Sequence, residues 1–347
     1  MKVIFLTAGM TGGGTERVIA ILANYFIEKE YEVEIVMTAR DEVEYELNPS
    51  IVISTLGGRT GGSLKKRVER ICKLRNIMKN NKEATILSFG TETNCFALLA
   101  GFGRKKKLVI SERNDPNQCT YQRLRNMVYR LADKLVFQTE DAAKCFSKRI
   151  ARKGVVIPNP ISDHLPECYE GERRKEIVAV GRIEPQKNHR LLLDAFAVFS
   201  HTHPEYQLCI YGKGELQSDL EKQAKDLGIA EQVKFPGFAS DVLQRIRTSA
   251  MYVLSSDYEG ISNSLLEAMG IGLPVISTDC PIGGSKMLIE SGINGILVPM
   301  NDVKSLAEAM CRVADEKTFA ENIACQAKHV REKYSVTSIC KEWEKVV

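Results

Sequence analysis

Short β-rich runs and helical stretches alternate along almost the whole 347-residue chain, and the alternation stops once and then restarts. Residues 2–7, 33–38, 51–55, 85–88, 108–111 and 135–138 read as strands. Residues 14–28 carry Val18, Ile21, Leu22, Tyr25 and Phe26 at helical spacing. This is the βαβ rhythm of a parallel sheet covered on both faces. The interruption is Ile157-Pro158-Asn159-Pro160 and the charged stretch that runs on to Lys175. Two prolines in three residues stop regular structure and mark a linker. Strands are then predicted at 176–180, 207–211, 233–235, 251–254, 274–277 and 295–298. Helices are predicted at 189–199, 216–227, 242–248, 264–270 and 303–314, with a helical tail from Phe319 onward that holds the only tryptophan, Trp343. The expectation is an α/β chain of two doubly wound, Rossmann-like domains, 1–160 and 161–332, joined by a short hinge. Ligands in such sheets bind beyond the C-terminal strand ends, so a cleft between the two domains is the expected site.

Charge divides the two halves. Residues 1–160 carry 27 Lys+Arg against 17 Asp+Glu, whereas the remainder carries 21 against 27. The first half suits an anionic surface, although a solvated basic face without a partner would look the same. Basic segments without interleaved aromatics disfavour nucleic acid. The ten cysteines form no C-x-x-C pair and no Cys/His cluster, which predicts buried thiols in a reducing cytosol and no metal site. No apolar run is long enough for a membrane span, and Met1-Lys2 leads straight into an apolar strand instead of a signal peptide. A cytoplasmic protein is expected.

The segment with the most chemistry is Glu259-Gly260-Ile261-Ser262-Asn263-Ser264-Leu265-Leu266-Glu267. It puts one carboxylate in a loop and another on a helix, separated by a polar turn at a helix start. The amides of Ile261 to Leu265 would cradle a phosphate, and the carboxylates would accept from sugar hydroxyls. Ser264-x-x-Glu267 also fits a capping box, a purely structural role. Upstream, Arg182 and Lys187 follow a predicted strand; a guanidinium fork and an ammonium suit a diphosphate and would steady a departing nucleotide. Gly212 and Phe238 end two further strands, where a base and ribose could rest, although each alone is more often an ordinary strand-to-helix turn. The Gly12-Gly13-Gly14-Thr15-Glu16-Arg17 turn lets backbone approach a ligand, but no clean G-x-G-x-x-G is met and a dehydrogenase is disfavoured. In the stretch 64–79, Leu64, Val68, Ile71, Leu74 and Met78 are predicted to form an apolar face, with Lys66, Arg70 and Lys73 as an opposed basic stripe. The stripe could grip a pyrophosphate, rest on anionic lipid, or simply be solvated. Arg104-Lys105-Lys106-Lys107 is a second basic block. Glu112 and Arg113 lie in a polar run at another strand end, suited to acceptor binding or to an ordinary loop.

Together these residues resemble the retaining glycosyltransferases of family 4, over essentially the whole chain. The E-x7-E motif from Glu259 to Glu267 and its continuation to Gly272-Leu273-Pro274-Val275 is the most specific part. The likeness extends to bacterial enzymes that lengthen lipid-linked oligosaccharides for capsule, exopolysaccharide or protein glycosylation. It implies a GT-B fold with two domains facing across a cleft and a final helix, about 333–347, packed back on the first domain. The implied donor is a UDP-hexose or UDP-N-acetylhexosamine, with no other cofactor and no metal. The implied acceptor carries undecaprenyl diphosphate, which brings the protein to an anionic membrane surface on the inner face of the cell membrane. By the resemblance Arg182 and Lys187 bind the donor diphosphate, Glu259 holds sugar hydroxyls, Glu267 the ribose, and Gly13 and Gly14 approach the phosphate. Thr15, Lys66, Arg70, Lys73, Glu112 and Arg113 fall to the acceptor. Family members often carry a histidine where this chain has Glu112-Arg113. The alternatives are a UDP-N-acetylglucosamine 2-epimerase of the same fold, which needs no acceptor, and a sugar-nucleotide-binding protein without turnover.

Overall fold

The computed structural model describes residues 1–57, 64–103, 107–119 and 121–347. The chain divides into two compact units, Met1–Pro160 together with Val336–Val347, and Ile161–Ser335. The first unit contains strands β1 (Lys2–Thr7), β2 (Glu32–Met37), β3 (Val52–Thr55), β4 (Thr85–Phe89), β5 (Lys107–Ser111), β6 (Lys134–Phe137) and β7 (Gly154–Val156). They form one parallel sheet in the order β3-β2-β1-β4-β5-β6-β7. The second contains β8 (Arg174–Val180), β9 (Gln207–Tyr211), β10 (Val233–Gly237), β11 (Ser249–Leu254), β12 (Val275–Thr278) and β13 (Ile296–Val298), ordered β10-β9-β8-β11-β12-β13 and again parallel.

The inner strands of both sheets are near-continuous apolar runs because helices cover both faces, whereas the edge strand β3 is largely exposed. Every residue of β4 is buried, as are five of six in β1. In the second unit Ile177, Leu192, Phe196, Leu208, Met251 and Leu306 share one core. In each sheet the chain winds outward from one central strand, returns, and winds outward the other way. The reversal falls between β1 and β4 in the first unit and between β8 and β11 in the second. Such reversals leave a crevice at the C-terminal strand ends, because successive helices leave on opposite faces there.

The two units are joined through residues 157–173, which carry no helix or strand. Helix Val336–Glu344 belongs to the first unit. Its Trp343 is fully buried and stacks on Phe89 of β4, ring centroids 5.4 Å apart. Thr85 Oγ1 and Lys107 Nζ both donate to the Val347 carbonyl, so the sheet itself holds the end of the chain.

Three local expectations are corrected. β7 was not foreseen; it has only three residues and no alternation to reveal it. β8 starts at Arg174, inside the charged stretch read as irregular, because Arg174 N donates to the Thr248 carbonyl at 2.8 Å and Arg174 pairs in register with Ser249 of β11. The phase of helix Leu64–Asn80 also differs from the wheel. Arg70 is buried and Val68 is half exposed, so the buried side runs through Arg70, Leu74 and Met78. Four helical residues turn through about 400°, which leaves Arg70 only about 40° from Leu74. A basic stripe of Lys66, Arg70 and Lys73 is therefore not presented as one exposed face. Lys66 is exposed, while Lys73 pairs with Glu69 at 2.9 Å and donates to the Leu56 carbonyl. The side chain of Leu64 and residues 104–106 lie outside the described residues.

Candidate active site

The reversal between β8 and β11 is where the second unit collects its polar side chains. β8 leads into Gly181–Asn188 and β11 into Ser255–Ser262, with neither loop long enough to stray from the strand ends. Pro185–Lys187 forms one 3-10 turn, closed by Asn188 in the left-handed region at φ 42°. Asn188 tolerates that conformation because its side chain does two jobs. Its Oδ1 accepts from Leu191 N and starts helix His189–Ser200, and its Nδ2 donates to Asp257 at 2.7 Å. Gln186 donates to the Tyr258 carbonyl at 2.9 Å, and Asp257 N donates to the Gln186 carbonyl at 2.9 Å. Ser255 Oγ donates to the Lys187 carbonyl. The two loops are thus latched before any ligand arrives.

The latch brings Lys187 Nζ to 2.5 Å from Glu259 Oε1, with the two side chains only 12% and 9% exposed. Ser256 Oγ donates to the same carboxylate oxygen at 2.9 Å. Thr278 of β12 donates to the Ser256 carbonyl at 2.6 Å and holds that serine in place. Burying two charges is tolerable here because each is the other's partner.

His189, next in sequence to the latch, is buried. Desolvation, with the Lys187 charge adding to it, holds its imidazole at about 4. The group is depressed relative to the unfolded chain, so the unfolded state takes up a proton as pH falls from 6.5 toward 4 and the folded state resists. Stability should therefore drop through that window, by at most about 3 kcal/mol from this one group. Urea unfolding of wild type and His189→Gln at several pH values checks this: the variant should show the flatter acid limb, and parallel limbs would contradict it.

Arg182 is not part of the pair. Its side chain is 64% exposed and meets Glu184 at 2.9 Å. Its backbone is nonetheless fixed. Gly181 N donates to Tyr211 O, and Ile183 N donates to Lys213 O. Gly212 makes this contact possible: a Cβ there would lie 1.8 Å from the Gly181 carbonyl oxygen. Phe238 is 70% exposed at the far end of the same row of loops, beyond β10.

Helix Asn263–Gly270 starts one residue earlier than expected. Ser262 is its cap, accepting from Leu265 N at 3.4 Å. The capping box from Ser264 to Glu267 does not form, because Ser264 is already inside the helix and shares a hydrogen bond with the Tyr252 hydroxyl at 2.8 Å. Glu267 is buried in the second turn. Leu265 and Ile261 have buried side chains, so only their backbones could serve a ligand. Gly260 is pressed against Gly284, where a Cβ would meet the Gly260 carbonyl oxygen at 1.6 Å. That second glycine loop, Gly283-Gly284 after β12, escaped the sequence reading; its signal was the glycine pair at a strand-to-helix turn.

In the first unit the Gly-rich turn is clamped from residues 40–45. Gly12 N donates to Glu44 at 2.6 Å, the Tyr45 hydroxyl to Gly13 O at 2.7 Å, and Arg40 to Thr11 Oγ1. Gly13 caps the first helix, with Gly14 exposed at its first position and Thr15 half-buried next to it. Glu112 and Arg113 follow β5 and are both buried. The Thr91 and Tyr129 hydroxyls donate to Glu112 at 2.8 and 2.7 Å, but burial dominates and raises its carboxyl above the usual range. Arg113 donates through Nη2 to Asn159 Oδ1, and its Nε and Nη1 have no protein partner. Burial pulls this guanidinium down to about 9, still cationic at neutral pH. Asn159 also accepts from Gln138 at 2.7 Å. The sequence marks Asn159 only as part of a linker.

Residues 12–165 match the family model described as Glycosyltransferase Family 4, and residues 167–330 match that described as Glycosyl transferases group 1. The chain is a family 4 glycosyltransferase. It is 28% identical, over all of its length and 98% of the other's, to a Campylobacter jejuni protein named as a GalNAc-alpha-(1->4)-GalNAc-alpha-(1->3)-diNAcBac-PP-undecaprenol alpha-1,4-N-acetyl-D-galactosaminyltransferase. It is 24% identical to an Escherichia coli UDP-Gal:alpha-D-GlcNAc-diphosphoundecaprenol alpha-1,3-galactosyltransferase, covering 74% of this chain and 73% of that one. Among solved structures it superposes on Anabaena HepE in complex with UDP and glucose with a TM-score of 0.84, at 19% identity over 99% and 98% of the two chains. That likeness, with the two parallel sheets, gives this glycosyltransferase the GT-B fold. The named relatives are transferases, which counts against an epimerase. Among the described residues no group of three His, Cys, Asp or Glu is disposed to hold a metal ion.

Proposed function

We propose that the chain transfers a hexose or N-acetylhexosamine from a UDP-sugar to a glycan carried on a lipid diphosphate, with retention at the anomeric carbon. The observation that carries this reading is the Lys187–Glu259 pair at the β8/β11 reversal. It is a buried cation and a buried carboxylate held together by fixed loops, the two groups a sugar diphosphate needs side by side. The names of the relatives support the rest: one includes a UDP-Gal donor, and both include an undecaprenol diphosphate acceptor.

In this reading Lys187 binds the donor diphosphate, joined by Arg182 once that exposed side chain leaves Glu184. As the sugar–phosphate bond breaks, negative charge grows on the departing diphosphate and the ammonium stabilises it in a site already oriented. Glu259, relieved of its cation, accepts from the sugar hydroxyls; Glu267 holds the ribose. The backbone from Gly260 to Leu265, through Ser262, Asn263 and Ser264, offers the positive end of its helix to phosphate oxygens. Gly13 and Gly14 are assigned to the donor phosphate, and Gly212 and Phe238 to the base. The acceptor hydroxyl attacks the face the diphosphate leaves, and a phosphate oxygen takes its proton. Thr15, Lys66, Lys73, Glu112 and Arg113 serve the acceptor. Such an acceptor places the enzyme on the inner face of the cell membrane. Among the described residues no helix is long and apolar enough to cross one.

Incubation with a panel of UDP-, GDP- and ADP-sugars and a short-chain prenyl-diphosphate glycan tests the reading. A lipid product lengthened by one sugar, with a UDP donor only, is expected. Epimerised UDP-sugar without any transfer would overturn it.

A further inference from the structure

Helix Gln122–Tyr129 has a well-anchored inner side. Arg125, Val128 and Tyr129 are buried, with the Arg125 guanidinium 4.6 Å over the Phe146 ring and donating to the Pro116 carbonyl. Its outer side is unusually apolar. Leu124 and Met127, spaced i and i+3 on one face of the helix, are 48% and 60% exposed; Tyr121 just before the helix and Leu131 just past its end are 42% and 43% exposed. The next helix in the layer, Thr91–Gly101, packs against it and ends on exposed Leu99 and Phe102. Scattered exposed leucines need no explanation, but an aligned row does.

Cations border the row. Arg123 and Arg130, seven residues apart, are exposed along one flank. Helix Thr91–Gly101 carries one acidic residue, Glu92, in its first turn.

We propose that this face of the first unit, centred on Tyr121, Leu124, Met127 and Leu131 and bordered by Arg123 and Arg130, docks on a bilayer containing anionic lipid. Apolar side chains enter the acyl boundary while cations meet the headgroups, the arrangement of an interfacial helix. A protein partner with an apolar groove would satisfy the row but not the cations beside it. The proposal rests on the lipid-linked acceptor reading, which brings the enzyme to a membrane. It relocates the contact from the stripe at Lys66, Arg70 and Lys73, which is broken by the burial of Arg70.

The test is co-sedimentation of the full chain with phosphatidylcholine vesicles and with vesicles that also contain phosphatidylglycerol. Wild type should bind the anionic vesicles, more weakly as salt rises. Leu124→Ser/Met127→Ser should bind them about tenfold more weakly, and Arg123→Glu/Arg130→Glu should lose the preference for phosphatidylglycerol. Both variants should keep the wild-type melting temperature and the wild-type rate on a short-chain, water-soluble prenyl-diphosphate acceptor. Equal vesicle binding by wild type and variants overturns the proposal, as does loss of activity on the soluble acceptor or a dimer that the variants abolish. Absence of vesicle binding with intact transfer to the soluble acceptor overturns the docking face alone; absence of transfer to any acceptor overturns the functional reading.

Discussion

Lys187→Ala is expected to lower kcat for sugar transfer by about a hundredfold to a thousandfold. The ammonium lies in a fixed loop, largely out of water, beside the carboxylate proposed to receive the sugar. A cation so placed needs no reorganisation as charge develops on the leaving diphosphate, and a solvent molecule in its stead would. The substitution has a second consequence. It leaves Glu259 buried without its cation, with the Ser256 hydroxyl still donating to it, which should cost about 3 kcal/mol of stability. The double variant Lys187→Met/Glu259→Gln removes both charges and should recover much of that stability without recovering turnover. Near-normal kcat in folded Lys187→Ala would remove the diphosphate role. Recovery of activity in the double variant would reduce the pair to a structural strut.

Arg113→Met is expected to behave in the opposite way. Two of the guanidinium nitrogens are buried without a protein partner. Leaving such groups unsatisfied costs stability, and a buried charge costs more. Methionine has similar reach and no polar atoms, so the variant should be at least as stable as wild type. If those N–H groups wait for an acceptor hydroxyl or phosphate oxygen, transfer efficiency on the acceptor should fall by about tenfold to a hundredfold while UDP affinity stays unchanged. Chemical denaturation and acceptor-dependent kinetics read the two effects separately. A variant that is less stable yet fully active would mean that Arg113 is a packing residue.

The alternation of β and helical patterns gave the two parallel sheets because strands covered on both faces are apolar end to end and cannot hide. β1 and β9 were delimited to the residue. A three-residue edge strand such as β7 has too little pattern to see. The Lys187–Glu259 contact was legible as two separate motifs, since each follows a strand, and the reversal in strand order makes those strands neighbours. What escaped depends on contacts between residues far apart in the chain. Nothing local says that Gly284 must make room for Gly260, or that Asn159, 46 residues after Arg113 and 21 after Gln138, accepts from both. The phase error on helix Leu64–Asn80 has another origin. Arg70 lies at the margin of the apolar stripe, where a long side chain with an aliphatic stem can be drawn inward. The helix cap differed for a related reason: Ser262 and Ser264 both suit an N-cap, and the Tyr252 hydroxyl engages Ser264 from the strand beneath.

The central claim is that a nucleoside diphosphate is held at the reversal between β8 and β11, by Lys187 and the loop around Glu259. Amide hydrogen exchange of the full chain with and without UDP measures this directly. The account predicts slowed exchange in residues 181–188 and 255–265, and the loss of that protection in Lys187→Ala. Protection confined to other segments, or unchanged by the substitution, would contradict it.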